Sequence, residues 1–478
     1  MFDLPFELPD GWEVKTVEQL IKDKIIEKPL DGNHGDTHPK SADYVEEGIP
    51  FVMASDLEVG RVNLDSCKFI TEKQALTLRK GFSKVGDVLI SHKATIGRTA
   101  IVQENEYDFI MLTPQVTYYR VKNYQKLNNV YLKAYFDSSF FQSILGLWAG
   151  AGSTRAYLGI TAQLKLPVIV PPIDKQLSIA NHVGILNGKI ELNRQTNQTL
   201  EQIAQAIFKS WFVDFDPVKA KIQAKQNEQN PELAAMCALS GKTEDQLKGL
   251  DDGALKYLKT TAALFTDAMI ESEIGDIPNE WSAIQLYDTA EYVNGGAFKA
   301  IDFSEDNSGL PIIKIAELKQ GVYHGTKFTN KEVKSKYLIS DDDVLYSWSG
   351  SPETSLEVFK WFGGDGWLNQ HIFKLNFESE EQKYFTYYLL KHMKPLLIST
   401  AQQKQTTGLG HVTIADMKRM KLPYPTEEIL KEFKGKISPL YEKGSICEKE
   451  NICLIKIRNN LLPKLLNGEI KIGSMEVA

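Results

Sequence analysis

A chain of 478 residues is too long for one ordinary core and implies two to four domains. Its 42% hydrophobic and 24% charged content is average for soluble globular proteins, which disfavours disordered and membrane classes. No run is apolar enough for a membrane span, and the opening MFDLPFELPDGWE lacks a basic and an apolar signal region, so a cytoplasmic location is expected.

Cys67, Cys237, Cys447 and Cys453 are scattered without a C-x-x-C pair, which argues against a zinc site or a disulfide framework. The net charge of −7 runs against phosphate binding, but its distribution matters more than its sum. By segment it is −2 for 1–172, +1 for 173–213, −5 for 214–276, −2 for 277–425 and +1 for 426–467 with the tail. Most of the acidity lies in one intermediate stretch, and the flanking domains keep room for local basic faces.

Residues 1–172 read as a first mixed α/β domain: short β-rich runs such as Val88–Ile90, Ala100–Val102 and Val116–Val121 are broken by Gly and Asp turns. Between two of these runs, Lys93 and Arg98 sit on a loop and suit phosphate or guanine contacts; the alternative is a solvated hairpin. A second small basic loop carries Ser153, Thr154 and Arg155.

From residue 173 the pattern changes to alternating steps of four and three. Ile179, Val183, Leu186, Ile190, Asn193, Asn197, Leu200, Ala204, Ile207 and Trp211 form a coiled-coil seam on a helix predicted over 173–213. An acidic helical spacer follows over 214–276, broken by FDP, NPE and GLDDG.

A second domain over 277–425 repeats the first. LPDGW at Leu8–Trp12 returns as IPNEW at Ile277–Trp281, and IPFVMASDLEVG at Ile49–Gly60 as LPIIKIAELKQG at Leu310–Gly321. DVLIS at Asp87–Ser91 returns as DVLYS at Asp343–Ser347, and KLPVIVPP at Lys165–Pro172 as KLPYP at Lys421–Pro425. Four matches in order identify an internal duplication. Its loops diverge: Ser349 and Glu353 stand where the first copy is basic, and Glu353 suits a cytosine amine or plain exposure. Gln403, Lys404, Gln405 and Thr406 occupy the place of the Ser153 loop, and glutamine is a natural adenine reader. Trp12 and Trp281, which open the copies, read as core anchors.

A second seam runs through Ile429, Phe433, Ile437, Leu440, Gly444, Cys447, Asn451, Leu454, Arg458, Leu461 and Leu465, on a helix predicted over 426–467, with a tail at 468–478. At roughly 38 residues, or about 57 Å, each helix exceeds what a compact domain needs. Each also carries seam asparagines, which set register at some expense of stability. The helices are expected to pair antiparallel, in a pseudo-twofold arrangement of two similar α/β domains.

Catalytic patterns are missing. Gly241-Lys242-Thr243 lacks the first glycine of a phosphate loop, Pro171-Pro172 lacks the flanking residues of an amino-methyltransferase motif, and no G-x-G-x-x-G follows a strand. No nucleophile, base and orienter can be proposed, so neither catalytic nor metal-ligating residues are assigned.

With these features, the chain resembles the specificity (S) subunit of type I restriction-modification enzymes. The P-x-x-W openings at Pro9–Trp12 and Pro278–Trp281 carry the resemblance, with ITAQLKLPVIVPP at Ile160–Pro172. So do IFKSWFVDFDPV at Ile207–Val218, ESEIGDIPNEW at Glu271–Trp281 and LLPKLLNGEI at Leu461–Ile470. The resemblance implies two target-recognition domains that read the halves of a split double-stranded DNA site, and helices that dock two methyltransferase (M) subunits and, through them, restriction/translocase (R) subunits. It further implies a non-catalytic chain with no cofactor of its own: S-adenosylmethionine belongs to the methyltransferase, ATP and magnesium to the restriction subunit. The rivals are a self-sufficient DNA methyltransferase or nuclease, which must bind its cofactor unaided, and a coiled-coil scaffold, which should not shift duplex DNA even at low salt.

Overall fold

The computed structural model describes residues 6–58, 60–150, 156–323, 325–404 and 409–470. The chain divides into two compact units, Met1–Asn193 with Glu450–Ala478, and Arg194–Lys449. The division falls inside both long helices, not at their ends, because each stretch of helix joins the core of the globular domain beside it. Ile179, Ala180, Val183, Leu462 and Leu465 belong to the core of the first unit. Ala204, Phe208, Trp211, Ile429, Phe433 and Ile437 belong to that of the second.

In the first unit one sheet runs in the order Leu30–Asp31, Val116–Tyr119, Val88–Lys93, Thr95–Ile101, Gly60–Val62, Leu57–Glu58. A second runs Tyr44–Val45, Lys68–Ile70, Ile49–Val52, Ile110–Leu112, Phe82–Ser83. The central strand Val88–Lys93 is buried at every position but its last, which is why it reads as an apolar run rather than an alternation. Two helices, Asn129–Asp137 and Ser139–Trp148, cover the sheet. They are split at Ser138, whose hydroxyl donates to Tyr135 O at 2.6 Å and accepts from Phe141 N at 3.2 Å, ending one helix and capping the next.

The second unit repeats this topology with fewer strands. Glu291–Asn294, Ile372–Asn376, Val344–Ser347 and Glu357–Lys360 reproduce the first sheet, and Phe328–Thr329, Leu310–Ile313, Gly366–Leu368 and Leu338–Ile339 the second. A single helix, Glu380–Gln403, stands where the first unit has two. In both units the parallel strand pair recurs, Phe51 beside Met111 and Ile312 beside Trp367. So does the antiparallel ribbon that leads into the long helix, Glu13 opposite Val170 and Ser282 opposite Tyr424.

The P-x-x-W openings are identical turns: Trp12 N donates to Pro9 O and Trp281 N to Pro278 O, each at 3.1 Å. Left-handed backbone at the third position, Gly11 at φ 80° and Glu280 at φ 73°, closes them. Trp281 is buried against Phe212 and Phe215, and Trp12 is half-buried against the first core, so both are packing anchors.

The long helices span Ile173–Phe212 and Glu427–Leu466, about 60 Å each. Within each unit they run antiparallel. In the first, Asn187 meets Arg458 and Asn193 meets Asn451; in the second, Phe208 and Trp211 meet Phe433. Asn193 and Asn451 bond across the seam, whereas Asn197 Oδ1 is buried without a partner among the described residues, since the residue facing it is Gly444, which has no side chain to donate. Arg458 relieves its place on the seam by donating from Nη1 to Asn187 Oδ1 at 3.0 Å.

The acidic stretch is not a loose tether. Its helices Asp216–Gln226, Pro231–Ser240, Glu244–Leu247 and Asp252–Ala263 and the hairpin Met269–Ser272 with Gly275–Pro278 pack into the core of the second unit. Val218, Met236, Leu258, Phe265 and Ile277 join Trp211 and Phe433 there. Buried Lys221 is neutralised by Glu232 at 2.7 Å and donates to Phe265 O.

Candidate nucleic-acid interface

Lys93 and Arg98 lie on one β-hairpin. Its strands Val88–Lys93 and Thr95–Ile101 pair from Lys93 opposite Thr95, and Ala94 at φ 64° makes the reversal. Lys93 is exposed and forms no ion pair among the described residues; it lines a cleft of about 400 Å³ with His34, His38, Tyr44, Thr113 and Gln115. Arg98 is exposed too, but its Nη1 donates to the carbonyls of Ala54 and Ser55 at 3.2 Å, which holds the side chain against the domain. Gly97, at φ 89°, abuts the Gln142 amide, and a Cβ there would lie 2.1 Å from Oε1. The hairpin is therefore braced from behind, with Lys93 left at its tip.

Beneath the cleft is a charge cluster. Asp31 is buried, with Lys80 on one carboxylate oxygen and His34 Nε2 at 2.6 Å on the other. Burial pushes the Asp31 carboxyl up, but hydrogen bonds from Lys80 and His34 outweigh it and hold the group below its ordinary value. His92 is fully buried, with Nδ1 3.0 Å from Leu158 O and Nε2 lacking a hydrogen-bond partner among the described residues, 3.9 Å from Asp31. Burial lowers its pKa despite the nearby carboxylate, so the imidazole is neutral near pH 7. His38 is likewise lowered, by burial and by the charge of His34.

In the second unit the corresponding strand, Val344–Ser347, runs into Trp348, whose Nε1 donates to Asn294 Oδ1 at 3.1 Å. Its ring packs among His371, Phe373 and His411, with centroids 5.7, 5.7 and 6.5 Å away. Ser349 pairs with His411 in a short ribbon. A cleft of about 480 Å³ beside it is lined by Asn294, Gly295, Lys336, Tyr337 and Lys374.

The remaining candidates separate. Glu353, on the turn of helix Pro352–Ser355, is exposed and accepts from Gln402 Nε2 at 3.1 Å, so its carboxylate is already engaged. Gln403 is exposed at the end of its helix. Lys404 binds both oxygens of buried Asp416, at 2.5 and 2.6 Å, which makes it a structural anchor. Ser153, Thr154, Arg155, Gln405 and Thr406 lie outside the described residues. Thus Lys93 and Arg98 share one hairpin in the first unit, while in the second Ser349 lies in a short strand and Glu353 in the short helix that follows.

The sequence reading did not single out Gln115, Gln370, His371 or His411. The duplication held the signal: the offset of 256 that aligns DVLIS with DVLYS also aligns TPQV at Thr113–Val116 with NQHI at Asn369–Ile372. Among the described residues, no group of three or more His, Cys, Asp or Glu is placed to hold a metal ion, and no helix is long and apolar enough to cross a membrane.

Two copies of one mixed α/β domain, each followed by a long helix of an antiparallel pair, define a class of duplicated recognition proteins. Residues 9–202 and 278–452 match the model of the type I restriction modification DNA specificity domain, one match on each copy, and the chain belongs to that family. It is 32% identical over 323 residues to the type I restriction enzyme HindI specificity subunit of Haemophilus influenzae, covering 64% of this chain and 69% of that one. It is 24% identical over 481 residues to the MjaIX specificity subunit of Methanocaldococcus jannaschii, covering 98% and 96%. A solved structure, the S subunit of a type I restriction-modification system from M. genitalium, matches with a TM-score of 0.46 at 13% identity over 96% of this chain and 97% of that one.

Proposed function

We propose that this chain is the sequence-reading subunit of a type I restriction-modification assembly, binding a split duplex site with one half read by each globular domain. The observation that carries this is the duplication itself: two family matches fall on two copies of one fold whose loops have diverged. Two readers on one chain make the second contact effectively intramolecular once the first has formed.

The reading extends to partners. Two methyltransferase subunits dock on the long helices, and restriction subunits join them. Supporting this, the helices present large apolar side chains to solvent, among them Ile185 and Leu192 seven residues apart, Ile203, Ile446 and Ile457. In this reading S-adenosylmethionine is bound by the methyltransferase and ATP with magnesium by the restriction subunit, while this chain is non-catalytic and acts in the cytoplasm.

The test is co-expression with the methyltransferase, followed by mapping of methylated adenines. Replacing residues 277–425 by the equivalent domain of a relative should change one half of the methylated site and leave the other intact. Change in both halves, or methylation by the isolated and contaminant-free chain, would overturn the proposal.

A further inference from the structure

Two turns at the same place in the two units share a backbone and differ in what they present. Thr113–Val116 closes with Val116 N donating to Thr113 O, and Asn369–Ile372 with Ile372 N donating to Asn369 O, both at 3.1 Å. The strand behind each is tied on in the same way: His92 N donates to Gln115 O at 2.9 Å, and Trp348 N to His371 O at 3.4 Å. On the far side, Leu158 N donates to His92 O and Val412 N to Trp348 O, both at 3.0 Å. A glycine crosses each turn too closely for any side chain: a Cβ on Gly32 would lie 1.9 Å from Leu112 O, and one on Gly295 2.2 Å from Asn369 O.

This shared ladder superposes Asp31, His92, Gln115 and Tyr157 on Asn294, Trp348, His371 and His411. Between them the buried scaffold is kept in kind, with Ser91 for Ser347, Val116 for Ile372 and Leu158 for Val412, as close packing requires. The four positions around the turn all change chemistry instead. A change of chemistry at these four positions on a retained local backbone is what two readers facing different bases need.

The side chains at the turns are available. Gln115 is half-buried in the cleft beside exposed Lys93, and its amide has no partner among the described residues. Gln370 and His371 are exposed and, among the described residues, their side chains hydrogen-bond only to each other, Nε2 to Nε2 at 3.3 Å.

We propose that these turns are the base-reading elements, Gln115 in the first domain and the Gln370–His371 pair in the second, with Lys93 holding a phosphate beside the first. The assignment rests on the DNA-reading function proposed above. A glutamine amide matches the N6 donor and N7 acceptor of adenine, and an imidazole N–H backed by a glutamine amide matches the acceptor edge of a purine.

The test uses the whole assembly, with its methyltransferase partner, and reads the methylated motif from genomic DNA. Gln115→Ala is expected to relax one base of one half-site, by roughly 5- to 150-fold in discrimination, with the other half unchanged. His371→Ala should relax one base of the other half. The exchanges Gln115→His and His371→Gln should alter the preferred base instead of erasing preference, and they serve if an alanine variant fails to assemble. Unchanged motifs, or equal loss at every position, would overturn the assignment. A wild-type assembly that leaves no bipartite motif would instead overturn the proposed function.

Discussion

Asn193 offers the sharpest energetic test of the helical seam. Its side-chain amide is 2% exposed and donates to Asn451 Oδ1 at 3.0 Å and Glu450 Oε2 at 2.8 Å, while Asn451 returns a bond to Ile190 O at 3.2 Å. Asn193→Ala strands Asn451 Oδ1 in a buried seam, and an unsatisfied buried polar atom costs about 1–3 kcal/mol. Glu450 adds little to this, being partly exposed and still paired with Lys189 at 3.1 Å. The double variant Asn193→Leu with Asn451→Leu removes both polar groups and should be near neutral or stabilising, giving a coupling of about 1–3 kcal/mol between the sites. In the thermal transition of the first unit, each kcal/mol corresponds to about 2–4 °C for a body of its size. Urea unfolding of the full-length wild type, Asn193→Leu, Asn451→Leu and the double variant closes the cycle, with Asn193→Ala measured beside them. A loss below about 0.5 kcal/mol for Asn193→Ala, with costs that simply add in the double variant, would refute the idea of a bonded polar pair in the seam.

Trp211→Ala should cost about 3–5 kcal/mol, because the indole is 2% exposed and fills the junction of Phe212, Phe265 and Phe433; circular dichroism melts would show no more than a small shift if the ring were dispensable. Gly32→Ala forces a Cβ onto Leu112 O and should destabilise the first unit by about 1–3 kcal/mol or more, whereas Gly146→Ala, which meets open space in a helix, should stabilise it by about 0.5–1 kcal/mol; equal melting points for the two variants would contradict the packing. Although burial raises the Asp416 carboxyl, bonds from Lys404, Thr413 and Arg419 outweigh it and hold the folded pKa below the unfolded value. Its stabilisation is therefore present above about pH 4 and lost as pH falls below that, so Asp416→Asn should flatten the acid limb of a stability–pH curve, and an unaltered limb would count against it. Lys93→Ala should weaken binding to all duplex sequences alike and lower the salt slope by about one; a sequence-dependent loss would show that Lys93 touches a base.

The sequence by itself determined what is local or periodic. The P-x-x-W strings mark the equivalent openings of the two copies, and the steps of four and three specify the helices because 3.6 residues per turn leave no other regular solution. The duplication was legible for the same reason, since the short strings at Asp87–Ser91 and Asp343–Ser347 enter strands buried from Val88 to Ser91 and from Val344 to Ser347. Tertiary structure decided everything that depends on what lies opposite. Asn197 reads as a seam asparagine like Asn193, yet only one of them finds an amide across the seam, because the other faces Gly444. Lys404 reads as a loop cation free for DNA until Asp416, 12 residues away, folds back onto it. The acidic stretch reads as a helical spacer, and its apolar residues show their destination only once Trp211 and Phe433 form the wall they pack against. Gln115 and His371 carry no motif at all. The offset of 256 that aligns the two copies makes them equivalent in sequence, but only the strands, turn and glycine around each show that the same backbone presents both.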